Sequence, residues 1–149
     1  MTNYKCVKQH VTYDKYTSIC VELETERGNL IVYGTIIGIY GNRHPSFSQD
    51  LSQQLIDIRR LSTGDRNICI CGDFNCTFSD NYYYTKAGRE AIRQSFTENR
   101  IDLLTESRSE CIDHIALSRN FLDGSVIQIE EWNYDKMLSD HKGIVVSIT

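Results

Sequence analysis

The sequence has little proline and no long apolar run. The first argues against a linker between domains, and the second argues against a membrane-spanning segment. Pro45 is the single proline in 149 residues, and no repeat or low-complexity tract is present, so we expect one domain without a linker. No apolar run approaches the roughly 20 residues that are needed to cross a bilayer. Residues 1–10 hold two lysines but no apolar stretch behind them, which predicts no secretory signal and a cytoplasmic protein.

Basic residues do not outnumber acidic ones. The 16 lysines and arginines stand against 20 aspartates and glutamates, which gives a net charge of -4. This balance lacks the dense basic footprint of proteins that bind nucleic acid by charge alone. With 40% apolar and 24% charged residues, the composition is typical of a folded globular protein and excludes a disordered chain. A small acidic enzyme that meets a phosphate through a metal ion fits it.

The six cysteines do not form a zinc motif, because no pair has C-x-x-C spacing. Without an export signal they are expected to be reduced thiols rather than a disulfide framework. Cys69 and Cys71 alternate within an apolar stretch, so we expect them to fill one face of a strand as small buried hydrophobes. A metal or redox role is the alternative.

Hydrophobic periods of two predict several strands. Alternation over 18–25 predicts a half-buried strand with one apolar face (Ile19, Val21 and Leu23) and one solvent face (Cys20, Glu22 and Glu24). A turn and a second strand over 30–39 complete a hairpin. Further strands are predicted over 67–71, 112–118, 125–131 and 144–148.

Two helices are predicted from apolar residues that recur at helical spacing. The first spans 47–62, where Ser46 and Gln49 have the form of a capping box. The second spans 86–99 and follows a polar loop with three consecutive tyrosines at 82–84. These rings are expected to cover an edge of the sheet; the alternative is a stacking platform for nucleic-acid bases. Strands and helices in this order predict an α/β chain with mixed sheet pairing.

One short polar segment follows the strand at 67–71, and strand ends are where active sites collect in layered α/β folds. Asp73 and Asn75 are two residues apart and project from one face if the strand continues. Their carboxylate and amide groups can hold a hydrolytic water and bind a phosphate oxygen. Taken alone, the same residues fit an ordinary turn in which both bond to the backbone.

Two further segments place an aspartate beside a histidine. Asp113 lies at the rim of an otherwise apolar strand face, where an unpaired carboxylate is costly, so an imidazole is its expected partner. His114 points to the opposite face and is expected to be a packing residue. Asp140 and His141 precede the last strand and can supply an acidic ligand and a general acid or base.

The chain resembles the endonuclease/exonuclease/phosphatase superfamily, the DNase I-like enzymes, in three motifs taken together and in this order: Gly72-Asp73-Phe74-Asn75, Ile112-Asp113-His114-Ile115 and Ser139-Asp140-His141. The stretch 34–42 is also similar to a family strand that ends near the site in an aromatic or histidine residue. The resemblance covers nearly the whole chain. It implies a layered α/β sandwich and a metal-dependent phosphodiester hydrolase, foremost a nuclease.

The resemblance implies a role for each catalytic residue. Asp73 would position or deprotonate the attacking water, and Asn75 would bind the phosphate. His141, oriented by Asp113, would bind the phosphate oxygens and protonate or stabilise them. A histidine–aspartate pair beside separate acid and amide groups is also what in-line hydrolysis of a phosphodiester requires.

The same resemblance implies a metal site and a phosphate pocket. Asp140, together with Asp73, would hold Mg²⁺ or Mn²⁺, and the metal would polarise a phosphate oxygen. Tyr40 would line the phosphate pocket, and Asn42 is a second substrate-binding candidate. The substrate would be a nucleic acid or another phosphodiester; a phosphatase or a lipid-headgroup phosphodiesterase on the same scaffold is an alternative.

The chain departs from the family pattern near its N-terminus. Family members are longer, and their N-terminal part carries an Asn on its first strand and a Glu that binds the catalytic magnesium; neither motif precedes the hairpin at 18–39. Residues 1–149 are therefore expected to form one DNase I-like domain that lacks its N-terminal part. A catalytically silent fragment or remnant is the alternative to an enzyme. Uncovered sheet edges would favour self-association.

Overall fold

The structure, a computed structural model, describes residues 3–149. Within this range the elements are β1 (Lys5–His10), β2 (Ser18–Thr25), β3 (Gly28–Ile36), α1 (Phe47–Ser62), β4 (Asn67–Asp73), α2 (Lys86–Glu98), β5 (Ile101–Leu103), β6 (Asp113–Ser118), α3 (Arg119–Leu122), β7 (Ile127–Trp132) and β8 (Gly143–Ile148). The predicted α/β class is confirmed.

Six of the strands form one mixed sheet in the order β1-β2-β3-β4-β6-β5, and β7 and β8 form a separate two-stranded sheet. Every neighbouring pair is antiparallel except β3 and β4, which are parallel. Parallel strands need a long crossover connection, and α1 supplies it. The pairing of β4 with β6 matters most for the site, because it joins segments that are far apart in the sequence.

The two long helices cover one face of the six-stranded sheet. Phe47 and Ile58 of α1 and Phe96 of α2 pack in one buried cluster with Tyr33 and Ile70 of the sheet. Each such side chain is 3% exposed or less, and burial of a large apolar side chain contributes about 1.5–3 kcal/mol. The helices therefore fix the sheet that carries the polar strand ends.

The opposite face of this sheet is only partly covered among the described residues, and this overturns one prediction. We expected the Cys20 face of β2 to point to solvent, yet Cys20 is 1% exposed and Ile19 is 60% exposed. Alternation identifies a strand but does not say which face a helix will cover. The Cys20 side faces the helices. Cys69 and Cys71 lie on the Ile19 side and are half-buried rather than fully buried.

Both predicted helices are present, with one error at an N-terminus. α1 has the predicted bounds, and α2 ends one residue earlier than predicted. The Ser46 side chain makes no capping hydrogen bond; its Oγ contacts His44 Nδ1 at 2.9 Å instead. The predicted capping box is therefore wrong. In α2, Thr85 Oγ1 accepts a hydrogen bond from Gly88 N–H.

The strand bounds differ from the prediction most where a strand meets the candidate site. β4 continues to Asp73, two residues beyond the predicted end, and β3 stops at Ile36 rather than at 39. Left-handed backbone at Gly38 (φ +68) and Gly41 (φ +84) turns the chain away from the sheet after β3.

Three short or polar elements were not predicted. β1 is almost entirely exposed, so its sequence carries no hydrophobic period, and β5 and α3 are only three and four residues long. β1 and β5 are the edges of the six-stranded sheet. Self-association through these edges stays a prediction. Between Asn3 and Thr149, no helix is long and apolar enough to span a bilayer.

Gly72 provides a test of the β3–β4 pairing. Its φ is +135, and a Cβ at this position would collide with the Thr35 carbonyl of the neighbouring strand. We expect Gly72→Ala to lower the free energy of unfolding by about 1–3 kcal/mol or more, because the parallel strands would have to separate. The measurement is urea unfolding followed by circular dichroism.

Gly64→Ala is the matched control, because Gly64 has a φ of +76 but open space around the position of a Cβ. It carries the backbone penalty alone, about 1–2 kcal/mol. An equal loss of stability in both variants would show that close approach to Thr35 does not matter.

Candidate active site

The three polar segments converge at one end of the six-stranded sheet. Asp73 ends β4, Asp113 begins β6, and the two are direct partners in the antiparallel register. His141 lies just before β8. Asp113, Asp140 and His141 line an open cleft of about 470 Å³ between the partly covered sheet face and the β7–β8 sheet. The fold thus assembles residues that are widely separated in the sequence.

Asp113 and His141 form a dyad. The Nδ1 atom of His141 lies 2.6 Å from Oδ2 of Asp113, and about a third of each side chain is exposed. Partial burial disfavours the imidazolium, but the Asp113 carboxylate outweighs it through charge and hydrogen bonding, so the pKa of His141 is raised. With Nδ1 oriented by Asp113, Nε2 remains available to a ligand.

Asn133 is a positioning residue that the sequence reasoning missed. Its amide nitrogen donates to the carbonyls of Ser139 (2.8 Å) and His141 (2.6 Å), and its side-chain oxygen accepts from Leu138 N–H (3.0 Å). Asn133 has a φ of +60, a conformation that Asn tolerates better than most residues. These bonds hold the loop that presents His141. An isolated asparagine after a strand gives no sequence signal for this role.

Asp73 faces the dyad from the neighbouring strand. Desolvation raises the pKa of its carboxyl group to about 6, and the nearby Asp113 charge acts in the same direction, while the Asn75 N–H and His141 oppose the shift. Like charges directly opposite one another destabilise a sheet. Carboxyl groups with pKa values raised in this way cluster at functional sites.

Asn75 forms the turn that we weighed as the alternative. β4 ends at Asp73, and Asn75 has a φ of +47, so the two side chains do not continue along one strand face as predicted. The Asn75 N–H donates to Asp73 Oδ1 at 2.7 Å. The Asn75 amide contacts the carbonyls of Ile37 (3.0 Å) and Gly38 (3.2 Å) and the Asp73 carboxylate (3.1 Å). A phosphate that bonds to this amide would replace one of these partners.

The remaining candidates, Asp140, Tyr40 and Asn42, differ in exposure and in position. Asp140 is 95% exposed at its side chain, with Oδ1 3.9 Å from His141 Nε2. Tyr40 is 74% exposed, and its ring centroid lies 4.9 Å from that of His44. Neither Tyr40 nor Asn42 lines the cleft. The Nδ2 atom of Asn42 is buried and has no hydrogen-bond partner among the described residues.

A second, smaller groove adjoins the cleft and shares Asp140, His141 and Lys142 with it. Tyr82 and Tyr83 line this groove, so the tyrosine loop borders the site. Lys136 lies 4.6 Å above the Tyr82 ring, and its Nζ donates to the Tyr82 hydroxyl at 2.9 Å. His141 therefore stands between two concave surfaces.

His114 is a packing residue, as predicted. It is 1% exposed, and its Nε2–H donates to the Cys76 carbonyl at 2.9 Å. Its Nδ1 then accepts from the Thr105 hydroxyl at 2.9 Å, and the Thr105 oxygen accepts from Ile115 N–H at 3.1 Å. Every polar atom of the neutral ring is satisfied. Burial lowers the pKa of His114 to about 4.

The carboxylates near His141 offer a modest donor set for a metal. No group of three or more His, Cys, Asp or Glu side chains within residues 3–149 is arranged to hold an ion. Magnesium, however, is commonly held by one or two carboxylates together with waters and substrate phosphates. Asp73 and the exposed Asp140 are oxygen donors of the type it prefers, so the set fits magnesium in this minimal form.

The architecture is similar to solved structures of phosphate-processing enzymes. An endonuclease/exonuclease/phosphatase from Beutenbergia cavernae DSM 12333 superimposes with a TM-score of 0.64 at 14% identity, over 88% of this chain and 38% of that one. A variant of the 3' phosphatase NExo from Neisseria, bound to a product DNA hairpin, gives 0.73 at 12% identity, over 99% and 73%.

A third neighbour is the endonuclease domain of TRAS1, a telomere-specific non-LTR retrotransposon. It superimposes with a TM-score of 0.67 at 15% identity, over 97% of this chain and 66% of that one. No protein-family model and no curated protein matches the sequence. The chain therefore has the DNase I-like fold of these structures, as expected from the motifs, and it spans between 38% and 73% of these three neighbours.

The buried neutral His114 predicts a pH dependence of stability. Its pKa is about 4 in the folded state and about 6.5 when unfolded, so below pH 6.5 the unfolded chain binds a proton that the folded chain refuses. The His114 contribution is therefore fully present above pH 6.5 and is lost as the pH falls towards 4. We expect His114→Leu to be less stable than the wild type at pH 8, because Thr105 and Cys76 lose a partner.

The stability deficit of His114→Leu should shrink as the pH falls from 6.5 to 4, measured by urea unfolding at each pH. His44→Gln is the control, since His44 is exposed. A deficit that stays constant across this range would contradict the assignment.

Proposed function

We propose that this protein is a phosphodiester hydrolase that acts on nucleic acid. The observation that carries the proposal is the Asp113–His141 dyad, which faces an open cleft beside a second carboxylate, Asp73, on a DNase I-like fold. A packing role does not account for two opposed carboxylates with a partly exposed imidazole bonded to one of them. General acid–base chemistry does.

In the proposed reaction, Asp73 would act on the attacking water and His141 on the departing oxygen. Asp73, a stronger base than an ordinary carboxylate because of its raised pKa, would accept a proton from the attacking water. Water oxygen would add to phosphorus while the opposite P–O bond breaks. His141 would donate its Nε2 proton to the departing oxygen or to a phosphate oxygen, and Asp113 would stabilise the imidazolium before that transfer.

A divalent ion is the expected cofactor of this chemistry. Mg²⁺ or Mn²⁺, when bound, would supply positive charge against the negative charge that develops on the phosphate oxygens. Asp140 and Asp73 are the residues that we propose to hold it. Tyr40 and Asn42 stay candidate phosphate contacts on the strength of the sequence resemblance, and the buried Asn42 amide would have to become accessible to make such a contact.

Nucleic acid is the substrate class that the comparisons favour. NExo was solved with a DNA hairpin, and the TRAS1 domain is described as an endonuclease. The net charge of -4 argues that contacts to the substrate are few and local. NExo is also described as a 3' phosphatase, so hydrolysis of a terminal phosphate at the same site is the nearest alternative reaction.

A second candidate is a catalytically silent domain. One observation favours it: no three-ligand metal cluster forms within residues 3–149. The same cleft would then bind a phosphodiester without cleaving it.

The dyad is tested by substitution in the 149-residue chain. We expect His141→Ala to lower the rate of cleavage of a fluorescently labelled single-stranded oligonucleotide by roughly 10²-fold or more, the usual contribution of a positioned acid or base. Asp113→Asn should be nearly as harmful, because it removes the charge that favours the imidazolium. Single-turnover cleavage on denaturing gels is the measurement, and circular dichroism checks the fold.

His10→Ala and Glu22→Gln are matched controls. They break a second histidine–carboxylate pair, 3.1 Å long, that lies on β1 and β2 away from the cleft. Cleavage should be unchanged in both. No cleavage of DNA, RNA or a small phosphodiester by the wild type would overturn the proposal and establish the silent domain.

Metal dependence is tested by removal and replacement of the ion. We expect a chelator to stop cleavage and Mg²⁺ or Mn²⁺ to restore it, because the developing charge on the phosphate needs a cation beside it. Asp140→Asn should raise the Mg²⁺ concentration needed for half-maximal rate, measured by titration of the apoprotein. Full activity in the presence of excess chelator would contradict the cofactor assignment.

A further inference from the structure

Trp132 is the single tryptophan of the chain and the last residue of β7. It lines the same cleft as Asp113 and His141. Its side chain is an anomaly for a packing residue, because 49% of its surface is exposed. A large aromatic ring that is half open to a cleft beside a candidate catalytic dyad has a surface that a flat ligand can cover.

The indole is held in place from beneath by its partner strand. Trp132 is paired with Gly143 of β8, and a Cβ at Gly143 would collide with the Cε2, Nε1 and Cζ2 atoms of the indole. The ring therefore packs directly on the glycine backbone, in space that any other residue would fill. This support orients the exposed part of the ring before a ligand arrives, which reduces the entropic cost of binding.

The surroundings of Trp132 favour an aromatic ligand over a bare phosphate. Cys71, Ile115 and Ile144 add apolar surface to the cleft wall. The lysine that lines the cleft, Lys142, is engaged elsewhere: its Nζ donates to the Ser109 carbonyl at 2.9 Å and lies 3.5 Å from Glu131. Because that charge is neutralised within the protein, it offers little to a free anion. The open indole offers a large surface to a flat ring.

We propose that Trp132 is a stacking platform for a nucleobase next to the scissile phosphate, and that it selects substrates that carry a base at that position. The inference rests on the proposed function and names its substrate class more closely. Stacking of bases on aromatic rings is tolerant of base identity, so the platform would distinguish nucleotides from base-free phosphodiesters rather than one base from another.

The chain offers a direct readout, since Trp132 is its only source of tryptophan fluorescence. We expect a thymidine hexanucleotide to quench this emission with a saturable titration in the presence of Ca²⁺ or without metal. A hexamer of the same deoxyribose-phosphate backbone without bases should bind about 10-fold more weakly or worse, since it has no ring to stack. Equal quenching by both strands would overturn the inference, and so would no response to the hexanucleotide.

Variants separate stacking from folding. Trp132→Leu should weaken binding of a labelled hexanucleotide about 10-fold, measured by fluorescence anisotropy, whereas Trp132→Phe should retain most of the affinity because a ring is still present. Tyr16→Leu is the matched control, because Tyr16 is 81% exposed and does not line the cleft. Equal affinity of Trp132→Leu and wild type would contradict the assignment.

The outcomes also distinguish this inference from the proposed function. Base-dependent quenching without any cleavage would support the platform and refute the hydrolase. Cleavage that is equally efficient on base-bearing and base-free strands, in wild type and Trp132→Leu alike, would support the hydrolase and refute the platform. A blue shift of the emission that depends only on protein concentration would show that a second copy of the chain covers the indole. That result would also refute the stacking platform.

Discussion

The antiparallel pairing of β4 with β6 is the constraint on which the candidate site depends. It sets Asp73 and Asp113 opposite one another at the end of a sheet that is anchored by two helices on its other face. Two carboxylates in this position repel, and partial burial adds a desolvation cost. The imidazole of His141, 2.6 Å from Asp113, offsets that cost through its hydrogen bond to Asp113 and, when protonated, through its positive charge. The loop at Asn133 and the β7–β8 sheet serve to hold this imidazole in place.

The same pairing explains why His114 and His141 have different environments. His114 and Asp113 are neighbours on β6 and therefore point to opposite faces. His114 enters the helix-covered core, where both ring nitrogens are bonded and burial keeps the ring neutral. Asp113 enters the cleft and recruits the histidine of a distant loop. One strand thus supplies a core residue and a candidate site residue at consecutive positions.

The sequence predicts much of this arrangement because its signals are local. Hydrophobic periods locate both long helices and most strands, and the three polar motifs lie where strands meet the cleft. Three features escaped for physical reasons. The covered face of β2 depends on where helices pack, so Ile19 and Cys20 were assigned to the wrong sides. The role of Asn133 depends on bonds to a loop several residues away. The support of the Trp132 ring depends on Gly143, its partner on the neighbouring strand, and that pairing is visible only in the fold.

The central claim is that Asp113 and His141 act as one catalytic unit, and a double-mutant cycle on the cleavage rate tests it most directly. Residues that act through one another give non-additive losses. The rates of wild type, Asp113→Asn, His141→Ala and the double variant would be compared on one oligonucleotide under single-turnover conditions. The account predicts that the double variant is no slower than His141→Ala alone. Losses that multiply, or a wild type that cleaves no phosphodiester, would contradict it.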